Sequence, residues 1–483
     1  MTSPAETVRS SNIPARLVAA WNGVAARWNP VLIIVVAWAL LTVPLVFFRG
    51  FNSDEGVAVS IARTALENGY WLDVHMFNQR FVERPTLLSW IIAGISLPFG
   101  GVSQFTARLP IILFLLGGCL LIFSLLRRVG AGAPAALAGT ALFLACPLVL
   151  RSYVMATADM PLAVLLFLAF YLWWDAYSGG TLSIRRWSAV GGVLALAALL
   201  KGPQPISYFA FGVGAFILWT RSWRQIPGFV LAGIICVIPL AAWYGCVYEP
   251  DDLKHWISFM RINPGVPLAN PLKALWELFT EMLPAALGAG AFFISLGFRG
   301  SSRVQTAFVK AIACYAFITA LVILFWPGGS TPRYYFPIVL PLCVFGGLAY
   351  DELSERRPQI VMAGLSVTLG ILAYAFLYSV VASPLMPRQF RSAKLDAVRI
   401  TELVRAAPAP IYRSGAVGLN VFPYVPGPIF GVRLRALDSI SGPAWIAVTP
   451  EEAQTLMQKR PGALRAVTSF GHDNEWRLLR LEK

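Results

Sequence analysis

Charge is scarce in this chain. Of 483 residues only 13% are Asp, Glu, Lys or Arg, against about 25% in an ordinary soluble domain. Acid is scarcer than base, 24 Asp and Glu facing 39 Lys and Arg. Histidine occurs three times and cysteine six times. His75, His255 and His472 lie far apart in sequence and give no metal-ligand spacing. The six cysteines form no CxxC pair and sit in or beside apolar runs, where they read as small hydrophobes. Gly100-Gly101 and Gly328-Gly329 are followed by no Lys-Ser/Thr, so neither is a phosphate loop, and no DxD motif is present. Charge this sparse, with a mean hydropathy of +0.66, excludes a soluble enzyme, a disordered chain and a nucleic-acid-binding module.

What is abundant is apolar: 57% of the chain is hydrophobic and the mean hydropathy is +0.66. A spanning helix needs about 20 mostly apolar residues. Stretches of that kind run near 31–49, 109–126, 133–152, 160–177, 187–200, 204–220, 226–247, 281–298, 309–326, 334–350 and 360–382. The expected fold is therefore a polytopic α-helical membrane protein with about eleven transmembrane helices. The net charge of +15 belongs to loops that orient the chain. With the arm carrying Arg9, Arg16 and Arg27 inside, the clusters Arg127-Arg128, Arg185-Arg186, Arg221 with Arg224, Arg299 with Arg303, and Arg356-Arg357 all fall inside too. The stretch 86–99 is too short to cross and contains Pro98, so it reads as interfacial or re-entrant. It closes a long first outer loop, 50–108, which also carries an amphipathic helix over 55–68. Loops of this length inside a compact domain are usually functional.

From 384 the composition turns mixed and polar. A helical pattern at 393–406, strand-like runs at 411–412, 445–448 and 476–481, and Thr449-Pro450-Glu451-Glu452 as a helix start indicate a small α/β domain. The expected division is thus 1–383, a membrane domain with its outer loop, and 384–483, an extracytoplasmic α/β domain. No internal repeat stands out.

The ionisable residues gather on the expected outer side. Asp54 and Glu55 follow the first span, Glu83-Arg84-Pro85 closes the amphipathic part of the loop, Asp159 heads the fourth span, Lys201-Gly202-Pro203 separates two apolar runs, and Arg333-Tyr334-Tyr335 heads the tenth. Such groups at a membrane boundary are costly unless paired, snorkelling or wet, so a water-filled cavity is expected there. Each also has a plainer account: Asp54 and Glu55 as a solvated helix start, Arg84 and Lys201 as interfacial anchors, Tyr334 and Tyr335 as part of an aromatic belt.

The order Phe51-Asn52-Ser53-Asp54-Glu55, Ala62-Arg63, Gly69-Tyr70-Trp71, Phe77-Asn78, Glu83-Arg84-Pro85 and Trp90 resembles the first outer loop of the polyprenyl-phosphate-sugar transferases of the GT-C class. Val154-Met155-Ala156-Thr157-Ala158-Asp159-Met160-Pro161 is similar to their second acidic site, Leu200-Lys201-Gly202-Pro203 to their Lys-Gly break, and Arg333-Tyr334 to their late Arg/Tyr pair. The resemblance is to the superfamily of lipid A aminoarabinose transferases and protein mannosyltransferases and covers about 1–350. It departs in one place, since Arg84 stands where the relatives often have Lys.

The resemblance implies a glycosyltransferase that moves a sugar from a polyprenyl-phosphate donor to a lipid or other envelope acceptor, with inversion, at the periplasmic face of a bacterial inner membrane. Arg84, Lys201, Arg261 and Arg333 are the candidate cations for the donor phosphate, because fixed positive groups stabilise charge developing on a leaving phosphate. Asp54 is the candidate general base for an acceptor hydroxyl. Asp159 would position sugar or acceptor, or stabilise positive character at the anomeric carbon. Glu83 would orient Arg84, Glu55 is a further candidate, and Tyr334 and Tyr335 are candidate substrate contacts. No resident metal is assigned, although the carboxylates of the first loop admit a divalent cation. The alternative is a multi-span transporter or flippase of an envelope precursor, whose charges would be expected nearer the midplane on broken helices.

Overall fold

The structure, a computed structural model, describes residues 13–252, 271–295, 306–325, 332–385, 387–415, 417–432 and 434–482. The chain divides into two compact units. The first comprises 1–42, 112–153 and 158–378, and the second 43–111, 154–157 and 379–483. The first outer loop thus groups with the C-terminal tail, rather than with the helices that flank it in sequence.

The first unit is helical. Its elements are α1 (Ile13–Arg27), most of α2 (Pro30–Phe48), then, after α3 and α4 of the second unit, most of α5 (Gln104–Arg128), α6 (Ala133–Ala145), α7 (Pro147–Ser152), α8 (Asp159–Ser178), α9 (Ile184–Lys201), α10 (Gln204–Thr220), α11 (Ile226–Val247), α12 (Pro271–Met282), α13 (Ala285–Ser295), α14 (Thr306–Leu324), α15 (Phe336–Arg356) and α16 (Pro358–Leu377). Helix is what these sequences must form in lipid, where every backbone N–H and C=O needs a partner within the segment. Among the described residues seven helices are long and apolar enough to cross a membrane, or eight if the pair Leu275–Met282 and Ala285–Ser295, bent by 98°, is one span. Helix occurs in every stretch expected to span, but several are shorter than a crossing requires. Cys146 and Pro147 split the third stretch, because Pro147 cannot continue the α6 hydrogen-bond ladder.

Small residues let these helices approach closely. A Cβ on Gly288 of α13 would lie 2.9 Å from the Cα of Gly346 on α15, and one on Gly212 of α10 would lie 2.9 Å from the Cα of Tyr315 on α14. α15 and α8 are the most buried of the long spans, and α16 and α11 the least.

The second unit contains α3 (Ser53–Asn68), a two-residue hairpin of β1 (His75–Met76) and β2 (Gln79–Arg80), α4 (Leu87–Ser96) and the tail. α3 begins with a capping box: Asn52 accepts from the Glu55 N–H, while the Glu55 side chain accepts from the Asn52 N–H. It ends at Gly69, whose φ of +74° suits glycine. α4 has ten residues and rises about 15 Å, half of a hydrocarbon core of about 30 Å, which agrees with the short interfacial reading of 86–99.

The tail supplies α17 (Pro387–Ala406), β3 (Ile411–Ser414), β4 (Ile429–Val432), β5 (Ala444–Val448), α18 (Pro450–Lys459), β6 (Leu464–Phe470) and β7 (Trp476–Leu481). The sheet order is β4-β3-β5-β7-β6, with β4, β3 and β5 parallel and β7 antiparallel to both its neighbours. β5 is buried on both faces. Trp445 and Ala447 join Ile400 of α17, Phe422 and Phe470 in one apolar layer, whereas Ala444, Ile446 and Val448 join Leu456 of α18 in the other. α18 starts where the sequence indicates, at Thr449, with a second capping box through Glu452.

Candidate functional site

The expected site residues fall into two sets, one in each unit. In the first unit, Asp159 is the first residue of α8 and Lys201 the last of α9. Both suit their helix ends, an anion at an N-terminus and a cation at a C-terminus. Gly202, with φ +82°, ends α9 directly after Lys201. Asp159 is 5% exposed. Lys201 Nζ donates to its Oδ1, and Arg333 Nε lies 4.0 Å from its Oδ2. Each carboxylate oxygen therefore faces a cation.

Tyr334 joins the same group. Its ring lies under Lys201 Nζ at 4.1 Å from the centroid and beside the Arg333 guanidinium at 5.7 Å, distances at which an aromatic face attracts a cation. Tyr335 is 1% exposed and packs into the protein. The Lys201 side chain is nearly buried while that of Arg333 is more than a third exposed, so Arg333 is the solvent-facing member. Two cations against one carboxylate leave the group with one net positive charge. Gln204, three residues beyond Lys201, is buried with its Nε2 unpartnered among the described residues; the sequence reading passed it over, although its place in the Lys-Gly-Pro-Gln break was the available signal.

In the second unit Asp54 lies exposed in the first turn of α3. The neighbouring Glu55 is wholly buried. Its Oε1 accepts from Arg108 Nε at 3.0 Å and from the Ala156 N–H at 3.1 Å, and its Oε2 from Arg108 Nη2 at 3.2 Å and the Asn52 N–H at 2.9 Å. Arg108 spends its remaining donors on the carbonyls of Val46, Arg49 and Gly50, at and just beyond the end of α2. A carboxylate so fully occupied has no lone pair left for a reacting proton. Arg108 was not singled out by the sequence. An arginine directly ahead of the apolar run 109–126 is costly without a partner, which was the available signal.

Tyr424 closes this network, accepting from the Phe51 N–H at 2.9 Å and Gln104 Nε2 at 2.7 Å. Burial pushes its phenol well above the ordinary tyrosine value, so it stays protonated. Glu83 and Arg84 are both partly exposed, with Arg84 Nη1 at 3.6 Å from Glu83 Oε2 and the guanidinium over the Phe81 ring at 5.8 Å. Arg261 lies outside the described residues. Among the described residues no three His, Cys, Asp or Glu side chains group as a metal site.

Residues 83–244 match the family described as dolichyl-phosphate-mannose-protein mannosyltransferase. A curated relative, the undecaprenyl phosphate-alpha-4-amino-4-deoxy-L-arabinose arabinosyl transferase of Pseudomonas paraeruginosa, is 22% identical over 71% of this chain; the match spans only 64% of that relative's length. Among solved structures, ArnT from Cupriavidus metallidurans in the apo state superposes with a TM-score of 0.74 at 17% identity, covering 93% of this chain and 97% of that one. The same protein bound to undecaprenyl phosphate gives 0.71 over the same coverage. The chain is thus a multi-span membrane protein that shares its fold with ArnT from Cupriavidus metallidurans.

Proposed function

We propose that the protein is a membrane glycosyltransferase that transfers a sugar from a polyprenyl-phosphate donor to a lipid or other envelope acceptor. The observation that carries this reading is the Asp159–Lys201–Arg333–Tyr334 group, a pair of cations held by one buried carboxylate and an aromatic face. Breaking the glycosidic bond leaves the bonding electron pair on the polyprenyl phosphate, whose negative charge rises. Lys201 and Arg333 stabilise that charge without reorganising at the moment of reaction. Arginine adds a planar fork that can donate two parallel hydrogen bonds to phosphate. Asp159 acts by holding the two cations in place, and Tyr334 by backing them.

Asp54 takes the proton of the acceptor hydroxyl. This role is supported by the resemblance of its loop and by its exposure at the start of α3, in contrast to the occupied Glu55. Glu55 is then a structural residue. Arg84, oriented by Glu83, and Arg261 are further phosphate contacts by resemblance. A single in-line displacement inverts the anomeric carbon. The membrane is a bacterial inner membrane, with residues 50–108 and 384–483 in the periplasm; the Lys/Arg asymmetry of the loops supports that orientation.

The test is direct. Purified protein is incubated with polyprenyl-phosphate sugars and a lipid acceptor, and release of polyprenyl phosphate is followed. Turnover is expected. Absence of turnover with every donor, together with substrate flux in reconstituted vesicles, would overturn the reading in favour of a carrier.

A further inference from the structure

A cavity of about 440 Å³ lies wholly within the second unit. One face of α3 lines it with Ser60, Arg63, Thr64, Glu67 and Asn68, and the opposite wall is the β1–β2 turn at Asn78 and the segment ahead of and into β4. No role in the reaction above falls to any of these residues. The volume lies within the range of small-molecule sites, about 300–1,000 Å³.

The α3 side of the lining is polar and electrically balanced, while the opposite wall is largely apolar, with Phe77, Pro428, Ile429 and Phe430. Arg63, the one cation in the lining among the described residues, is bonded to Glu67 at 2.7 Å and donates to the carbonyls of Val425 and Gly427. Its charge is therefore neutralised and its donors hold the wall together, which disfavours a phosphate. Asn68 Nδ2 donates to Asn78 Oδ1 at 2.6 Å, and Asn78 Nδ2 donates to the Ile429 carbonyl at 3.1 Å. These amides are fixed in orientation. Thr64 donates its hydroxyl proton to the Ser60 carbonyl, leaving the oxygen's lone pairs to accept.

Ser60 supplies an independent sign. It is 2% exposed, it lines the cavity, and its hydroxyl has no hydrogen-bond partner among the described residues. A buried hydroxyl without a partner costs free energy unless something supplies one. Phe430 adds an apolar ring to the opposite wall. Hydroxyl, carboxylate and amide groups beside an aromatic ring, with no unneutralised charge, are matched to a neutral ring bearing several hydroxyls, each both donor and acceptor.

We infer that this cavity binds a neutral sugar ring, the saccharide portion of the acceptor; the assignment to the acceptor rests on the glycosyltransferase reading, whereas sugar binding itself does not. Binding uses hydrogen bonds from the ligand's hydroxyls to Ser60, Thr64 and Glu67, with the ring against Phe430.

The experiment titrates the full-length protein in nanodiscs with cellobiose, maltose and N,N′-diacetylchitobiose, following saturation transfer to each sugar by NMR. At least one is expected to bind, and Ser60→Ala is expected to weaken it about two- to tenfold, the effect of one hydrogen bond. Because the Ser60 hydroxyl has no partner among the described residues, the same substitution should leave the thermal midpoint unchanged. If it lowers the midpoint, Glu67→Gln, at a half-exposed side chain, is read in its place with the same expected weakening. Failure of all three sugars to bind, or affinity indifferent to the substitution, overturns the inference. Undecaprenyl phosphate binding is measured on the same samples. If it persists while the sugars fail, the donor reading survives and only the cavity assignment falls.

Discussion

Arg108 and Glu55 pair through two parallel hydrogen bonds, Nε to Oε1 at 3.0 Å and Nη2 to Oε2 at 3.2 Å, with neither side chain exposed. The pair fastens three backbone segments: the end of α2 through its carbonyls, the N-cap of α3 at Asn52, and the segment at Ala156. Asp54 is the next residue to Glu55, so this network fixes the backbone from which Asp54 projects. Removing one partner strands the other as a buried charge, so Arg108→Met is expected to destabilise the protein by about 3–5 kcal/mol. Thermal unfolding in detergent checks this; an unchanged midpoint would mean that the pair does not hold the loop.

Gly56 is sterically required. A Cβ there would lie 1.7 Å from the Leu419 carbonyl oxygen and 2.5 Å from its carbon, both backbone atoms. Gly56→Ala is expected to cost at least about 1–3 kcal/mol through overpacking. Gly94 in α4 has nothing within 4 Å of such a Cβ, so Gly94→Ala is expected to be neutral or to stabilise by about 0.5–1 kcal/mol. Unfolding midpoints of the two variants, measured side by side, should move in opposite directions or differ by several degrees.

Arg84, proposed above as a phosphate contact, carries little structural burden. Its contact with Glu83 is 3.6 Å long between side chains exposed by 39% and 46%, and such surface pairs contribute at most about 1 kcal/mol. Arg84→Ala should therefore leave the unfolding midpoint almost unchanged while raising KM for the donor. An unchanged KM would contradict its phosphate role.

In the proposed site Asp159 holds Lys201 and Arg333 and does not itself contact phosphate. Asp159→Asn removes the negative charge from the Lys201–Arg333 group, so donor affinity should stay level or rise. Misplacing the two cations should nonetheless lower kcat by about a hundredfold. Separate measurement of KM and kcat checks the split; a raised KM with kcat intact would contradict it.

Much of this was legible from residue order alone. Helix appears in the stretches that hydropathy marks, and Thr449-Pro450 opens α18 because the capping signal is local. Asp159, Lys201, Arg333 and Tyr334 could be singled out because ionisable groups interrupt apolar runs there. Their pairing could not be read, since nothing in sequence relates the start of α8 to the end of α9. Two strands of the tail sheet were missed for a local reason: β4 is four residues with Gly431 inside it, and β6 carries exposed Arg465, Ala466 and Val467 on a mostly solvated run. The hairpin β1–β2 was missed because each of its strands has only two residues. The grouping of the first loop with the tail depends on contacts with no local signal, such as Arg63 to the Val425 carbonyl and Phe51 against the Tyr424 ring at 4.8 Å. Glu55 shows the limit most clearly. Its type and position fit a catalytic acid, but its partner lies 53 residues away in Arg108.

The central claim is that Lys201, steadied by Asp159 and Tyr334, binds the donor's phosphate. Equilibrium binding of undecaprenyl phosphate to the wild-type protein and to Lys201→Met, in the same nanodiscs, tests it most directly. The account predicts a loss of affinity of about tenfold or more, as expected for removing a charge-assisted hydrogen bond; equal affinity in the two proteins would contradict it.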